Sequence, residues 1–238
     1  MLICQHIFRS HIYRSHSIGG TDYTAIMKEE MIPGTCMENA GTRIKESVMD
    51  FLRSRITTIL ILINVAVFLL ETKDGGSTKR AVALKYGVMY PPYIRQGQYY
   101  RLFTAMFLHF GAYHLLFNMY ALSVIGPAVD YVCGPVIYLA VYLTAGLAGN
   151  LATLAVDQRT GKNNMSAGAS GCIFGLLGAC LVLAVAGYGF SLRSIMITLV
   201  INLAYGFSAR NINMVSHAGG FAGGALIMLI ILAGRGLL

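Results

Sequence analysis

The residues that could do chemistry in this sequence are polar side chains set inside apolar stretches, where a polar group needs a reason to be present. Ser170 and His217 are two of them, each near the beginning of such a stretch. A serine hydroxyl is a weak nucleophile until a base within hydrogen-bond reach takes its proton. The pair could therefore act as nucleophile and general base in acyl transfer. Because the cores of the apolar stretches hold no acidic residue, we expect a dyad.

A second pair, His114 and Asn118, could stabilise the negative charge that develops on oxygen during acyl transfer. The two residues are four positions apart, so in a helix they lie one above the other on the same face. The backbone N–H of Ser170 is a further donor, since a helix start favours negative charge. His109, near the beginning of the same segment as His114, is expected to be structural.

Small residues recur in the two segments that carry Ser170 and His217. Gly171 and Gly175 are four apart in one segment, and Gly220 and Gly224 are four apart in the other. Glycine at a helix contact lets two backbones approach closely. We expect these two faces to pack together, because a short serine side chain reaches a histidine only across a close contact.

Membrane-spanning helices must position these residues, because the composition does not suit a soluble protein. Of the 238 residues, 56% are hydrophobic and 12% are charged, and only seven charged residues follow position 101. So few charges cannot cover a surface that faces water, which excludes an ordinary soluble enzyme. The chain is predicted to be an all-α polytopic membrane protein with six transmembrane helices. The six apolar segments cover approximately residues 56–70, 102–125, 135–156, 166–185, 194–207 and 217–232.

The even-numbered segments run in the same direction across the membrane. Ser170, His217 and the pair formed by His114 and Asn118 all stand near the beginnings of even-numbered segments. They are therefore predicted to lie at a similar depth, toward one side of the bilayer.

Residues 1–53 are predicted to form a polar N-terminal tail, partly disordered, and residues 54–235 the membrane domain. Val48, Phe51 and Leu52 at helical spacing favour a short interfacial helix before the membrane. The net charge is +8, and 12 of the 18 Lys and Arg residues stand in the first hundred positions, where basic side chains suit lipid head groups rather than nucleic acid. Basic residues close to the first segment favour a cytoplasmic N-terminus in the cell membrane. The polar cluster would then open to the outer face.

Three of these segments resemble the rhomboid intramembrane serine proteases. Residues 168–171, Gly-Ala-Ser-Gly, resemble the GxSG segment of that family, and residues 109–119, with His114 and Asn118, resemble its HxxxN region. Residues 216–224 resemble its last-span histidine and glycine motif. The resemblance covers about residues 54–235, and three motifs on the second, fourth and sixth spans make it specific.

The resemblance implies a six-helix rhomboid-like bundle with serine endopeptidase activity on peptide bonds in or near transmembrane segments. Substrates would be single-span or polytopic membrane proteins in the lipid bilayer, and neither a metal nor a cofactor would be needed. Gly168 would allow the tight turn into the fourth helix, and Phe174 would pack on the base histidine. Tyr100 and Arg101 would correspond to the Trp-Arg pair that the family usually has at the start of its long first loop, with tyrosine in place of tryptophan.

Other interpretations predict different behaviour. A catalytically silent scaffold for membrane segments, on the same fold, would be unaffected by Ser170→Ala. A small channel or transporter with a histidine-lined cavity would show a solute flux that depends on pH. A metal site formed by His109, His114 and His217 is a further alternative, although no HExxH motif and no carboxylate or thiolate ligand accompanies these histidines.

Overall fold

The computed structural model describes residues 54–208 and 213–237, with the backbone alone from 203 to 208. The predicted tail over residues 1–53 and its interfacial helix lie outside the described residues. The described chain begins at Ser54. Ser54 is the N-cap of the first helix, and its side-chain oxygen accepts a hydrogen bond from the Thr57 N–H.

Nine α-helices make up the described part of the chain. Three short ones lie in the long first loop and just after it, and a 3₁₀ turn over Ala105–Phe107 follows them. A single antiparallel bridge within the described residues pairs Met89 with Ser166. The helices are α1 (Arg55–Lys73), α2 (Arg80–Tyr86), α3 (Pro91–Arg95), α4 (Arg101–Thr104), α5 (Ala112–Cys133), α6 (Pro135–Thr160), α7 (Ser170–Val185), α8 (Leu192–Ser208) and α9 (Met214–Gly234).

Four of these helices, α1, α5, α6 and α9, are long and apolar enough to cross a membrane. The shorter α7 and α8, of 16 and 17 residues, are also apolar. The chain is an integral multi-pass membrane protein, and the predicted all-α polytopic bundle is confirmed. Lipid is the natural solvent for faces such as that of α1, where Leu62 and Leu69 are each about 60% exposed.

Helix α7 lies at the centre of the bundle, packed between α6 and α9. Eleven of its 16 residues are buried, among them Cys172, Leu176 and Leu183. A helix surrounded by other helices need not match the full thickness of the bilayer. This explains how the segment that begins with Ser170 is short and still fully apolar.

The second predicted segment has different bounds in the structure. Its first residues, 102–111, form part of α4, the 3₁₀ turn and an irregular stretch, and the spanning helix begins only at Ala112. The predicted end at Gly126 and Pro127 is wrong, because α5 runs through both to Cys133. Gly134 is the C-cap residue that follows α5, and its φ of 80° suits glycine.

Packing explains why Gly126 lies inside a helix rather than at its end. A Cβ atom at this position would lie 2.6 Å from both the Thr57 and the Tyr138 hydroxyl oxygens. Those two hydroxyls hydrogen-bond to each other at 3.0 Å. Gly126 therefore lets α5 approach α1 and α6, a tertiary requirement that looks like a helix stop in the sequence.

Candidate active site

Ser170 is the first residue of α7, and the turn before it depends on Gly168. Gly168 has a φ of 129°, which side chains with a Cβ rarely adopt. A Cβ atom here would lie 2.9 Å from His114 Nε2 and 3.8 Å from the Ser170 hydroxyl oxygen. The space that the missing side chain leaves therefore borders both the His114 imidazole and the Ser170 hydroxyl.

His217 lies in the first turn of α9 and faces α7 through a ring contact. Its imidazole stacks on Phe174, with ring centroids 4.2 Å apart and an angle of 12° between the planes. Phe174 is one helical turn after Ser170 and on the same face of α7. The contact thus brings the predicted base to the face of α7 that carries the predicted nucleophile.

Glycine-to-glycine packing holds α7 and α9 close together. A Cβ atom at Gly220 would overlap the backbone carbonyl of Gly171, and one at Gly224 would overlap that of Gly175. A Cβ atom at Gly175 would lie 3.0 Å from the Gly220 carbonyl oxygen. The four glycines that the sequence analysis paired all lie where the two backbones meet, and a Cβ atom at Gly178 would likewise overlap the Phe221 carbonyl of α9.

The two histidines before and in α5 carry their ring protons on opposite nitrogens. The His114 Nδ1 accepts the Phe110 N–H at 3.3 Å, so the proton of a neutral ring is on Nε2, the atom that faces Gly168. The His109 Nε2 accepts the Ala169 N–H at 3.4 Å, so its proton is on Nδ1. Because the two rings are in edge contact, with centroids 5.0 Å apart, His109 also supports His114.

Asn118 lies one turn after His114 on α5 and is buried. Its amide nitrogen donates to the His114 carbonyl at 2.8 Å, which leaves one of its two N–H groups for another acceptor. Asn118 is thus tied to the helix turn that carries His114.

Arg101 does not lie among these residues but holds the first loop together. Its buried guanidinium donates to the backbone carbonyls of Leu84 at 3.0 Å and Val88 at 3.3 Å. Its guanidinium carbon also lies 4.7 Å from the centre of the Tyr93 ring. This arrangement stabilises the loop that precedes the 3₁₀ turn and His109.

Sequence reasoning missed two polar residues that touch the site. The buried Glu71, near the end of α1, accepts the His109 N–H at 3.4 Å. Asn213 is the N-cap of α9, and its side-chain oxygen accepts the Ser216 N–H at 3.0 Å. An asparagine directly before an apolar run is an N-cap signal that was available in the sequence. Glu71 gave no such signal, because its partner is 38 positions away.

The alternative of a histidine metal site has no support in the part of the chain that is described. No group of three His, Cys, Asp or Glu side chains there is arranged to hold a metal ion. His109 and His114 each use one ring nitrogen to accept a backbone N–H, which removes that nitrogen as a ligand.

Comparison with known proteins connects this arrangement to a family. Residues 96–234, which include Ser170, His217, His114 and Asn118, match the family model for the rhomboid domain. The chain belongs to the rhomboid family. The predicted family is therefore confirmed. The matched region begins in the first loop, so α1 lies outside it.

Three rhomboid relatives, two from a bacterium and one from a plant, illustrate the similarity. The chain is 37% identical over 172 residues to the rhomboid protease GluP of Bacillus subtilis, covering 71% of this chain and 33% of GluP. It is 32% identical to RHOMBOID-like protein 5 of Arabidopsis thaliana, covering 62% of this chain and 49% of that protein. It is also 32% identical to the putative rhomboid protease YdcA of B. subtilis, covering 58% of this chain and 69% of YdcA. The chain thus spans a third of GluP and about half of the Arabidopsis relative.

Proposed function

We propose that this chain is a rhomboid-type serine protease, a hydrolase that cleaves peptide bonds in or near transmembrane segments of other membrane proteins. The observation that carries the proposal is the stack of His217 on Phe174, one turn from Ser170 on the same face of α7. Two of the relatives, GluP and YdcA, carry the words rhomboid protease in their names. Single-span or polytopic membrane proteins would be the substrates.

In the proposed reaction, the Ser170 oxygen attacks the carbonyl carbon of the scissile bond while its proton moves to His217. The protonated imidazole then gives this proton to the leaving amine, and the C–N bond breaks to leave an acyl-enzyme. Water then loses a proton to His217 and attacks the ester carbonyl. The protonated His217 gives this proton to the Ser170 oxygen as the ester C–O bond breaks, which releases the acid product and restores the Ser170 hydroxyl. Two residues suffice for these transfers, so we expect a dyad.

The negative charge on the tetrahedral oxygen would be stabilised by donors around the space next to Gly168. The His114 Nε2 borders this space and carries a proton when Nδ1 accepts the Phe110 N–H. The backbone N–H of Ser170, in the first turn of α7, is a second donor, and the free N–H of Asn118 a third. Neither a metal nor a cofactor takes part in this scheme.

The positions of Ser170 and His217 in their helices indicate the side of the membrane on which the proposed site lies. Ser170 and His217 both lie in the first turn of their helices, so the dyad would be near one face of the membrane. With the N-terminus in the cytoplasm of a cell, as the basic residues before α1 favour, this is the outer face. Residues 54–235 would form the protease domain, and residues 1–53 an N-terminal tail.

Covalent labelling tests the proposed nucleophile without knowledge of a substrate. The purified full chain in detergent is treated with a fluorescent fluorophosphonate, which reacts with an activated serine. We expect labelling of the wild type and none of Ser170→Ala or His217→Ala. Ser123→Ala is the matched control, because the Ser123 hydroxyl donates to the Tyr120 carbonyl of its own helix. Equal labelling of wild type and Ser170→Ala would refute the proposal.

A further inference from the structure

A single side chain, that of Asn213, links the start of α9 to two other parts of the bundle. Its amide nitrogen donates to the Ser166 hydroxyl at 2.8 Å and to the Thr153 hydroxyl at 3.0 Å. Its amide oxygen accepts the Ser216 N–H at 3.0 Å. Both N–H groups and the carbonyl oxygen of this amide are therefore engaged.

The partners of Asn213 are themselves held in place. Ser166 is buried, and its backbone N–H and C=O both pair with Met89, at 3.0 and 3.1 Å. Thr153 is buried in α6, where its hydroxyl donates to the Gly149 carbonyl at 3.0 Å. Asn213 thus connects α9 to two fixed points rather than to flexible side chains.

The position of these contacts relates them to the proposed dyad. Ser166 precedes Ser170 by four residues, in the segment that leads into α7. The His217 N–H donates to the Asn213 carbonyl at 3.2 Å, so the cap and the proposed base belong to the same helical turn. The Asn213 side chain is therefore a short link between the turn that carries His217 and the segment that carries Ser170.

The glycine contact between α7 and α9 does not by itself fix the register of the two helices. Glycine faces bring two helices close, but they offer no directional bond against sliding or rotation of one helix along the other. Hydrogen bonds supply that direction. We propose that Asn213 is a positioning residue, which sets the register of α9 so that His217 stays within reach of Ser170. This inference rests on the proposed protease function.

The variant Asn213→Ser separates the helix cap from the bonds to Ser166 and Thr153. Asn213→Ser keeps an oxygen that caps the helix, but it is too short to reach Ser166 and Thr153. Ser166→Ala removes one of the same bonds from the other side and leaves its backbone pairing with Met89. Asn163→Ser is the matched control, because Asn163 is exposed and bonds with the Arg95 guanidinium at the surface.

The readouts are the rate of fluorophosphonate labelling and the kcat and KM for cleavage of a single-span reporter. We expect Asn213→Ser to lower the labelling rate and kcat by about tenfold to a hundredfold, since small misplacements of catalytic groups have effects of this size. KM stays within about twofold, because substrate binding is not affected. The double variant Asn213→Ser/Ser166→Ala loses no more than Asn213→Ser alone, since the bond is already absent.

Three results would overturn the positioning role while the wild type is labelled: an unchanged rate in Asn213→Ser, a loss confined to KM, or losses that add in the double variant. If Asn213→Ser does not fold, Ser166→Ala decides alone, with a lower kcat for the inference and an unchanged kcat against it. A wild type that is not labelled would instead refute the proposed function, and the positioning role with it.

Discussion

The imidazole of His217 lies nearly parallel to the ring of Phe174, at 4.2 Å between centroids. The two residues belong to different helices, α9 and α7, and Phe174 follows Ser170 by one helical turn. A stacked neighbour restricts the rotation of the imidazole, so the ring that is proposed to take the serine proton is held in one plane. Phe174 thus connects the packing of the bundle to the proposed chemistry.

Replacing Phe174 by leucine should lower kcat by about twofold to tenfold, because an aromatic contact of this kind contributes about 0.5–1.5 kcal/mol beyond its buried area. Phe174→Tyr keeps the ring and should retain most of the activity. Reporter cleavage by the two purified variants measures the difference. Wild-type kcat in Phe174→Leu would mean that the stack does not orient His217.

Replacing Gly168 by alanine should abolish fluorophosphonate labelling. The added Cβ atom would lie 2.9 Å from His114 Nε2, so the imidazole is displaced from the space beside Ser170. Gly76→Ala is the matched control, because Gly76 has a similar φ of 120° and no atom close to the position of an added Cβ. Both variants should lose stability through backbone strain, about 1–2 kcal/mol. Equal labelling of the two variants would contradict the role of this space.

Replacing Gly220 by alanine should destabilise the bundle by about 1–3 kcal/mol, the usual cost of overpacking a tight contact. The new methyl group would overlap the Gly171 backbone and force α9 away from α7. Gly234→Ala in the same helix meets no neighbouring atom and should be neutral or slightly stabilising. Thermal unfolding in detergent, followed by circular dichroism, compares them. A Gly220→Ala protein as stable as Gly234→Ala would show that α7 and α9 do not pack at this glycine.

The contribution of His109 to the stability of the protein should fall as the pH decreases from 7 toward 4. Burial, with a smaller contribution from His114, lowers the pKa of His109 from 6.5 to about 3 in the folded protein. Between these values the unfolded chain binds the proton and the folded one does not, so the stability that His109 contributes is complete above pH 6.5 and is lost as the pH falls toward 3. His109→Gln, which keeps an acceptor for the Ala169 N–H, should show a smaller decrease in melting temperature over this range. Parallel pH profiles would contradict the assignment.

Much of the fold followed from composition and spacing, since lipid and a close-packed core both demand apolar helices. The predicted segments 166–185 and 217–232 located α7 and α9, although the helices begin at Ser170 and Met214, and Gly171 with Gly220 indicated where they meet. The end of α5 was not predictable, because Gly126 is a packing residue whose partners Thr57 and Tyr138 lie on other helices.

Polar links over long sequence distances were the other feature that spacing did not reveal. The contacts of Glu71 with His109, and of Asn213 with Thr153, exist only after the helices have packed. In both cases one isolated polar residue at a helix end gave no periodic signal. The residues proposed to do chemistry stand in recognisable motifs, whereas the contacts of Glu71 with His109 and of Asn213 with Thr153 belong to no motif.

The measurement that tests the central claim most directly is cleavage of a single-span membrane reporter by purified full-length protein. Wild type, Ser170→Ala and His217→Ala are compared at equal amounts, with Ser123→Ala as the control for a serine outside the site. We predict two defined fragments with the wild type and with Ser123→Ala, and an intact reporter with the two dyad variants. The same fragments with all four proteins would contradict a Ser170–His217 dyad.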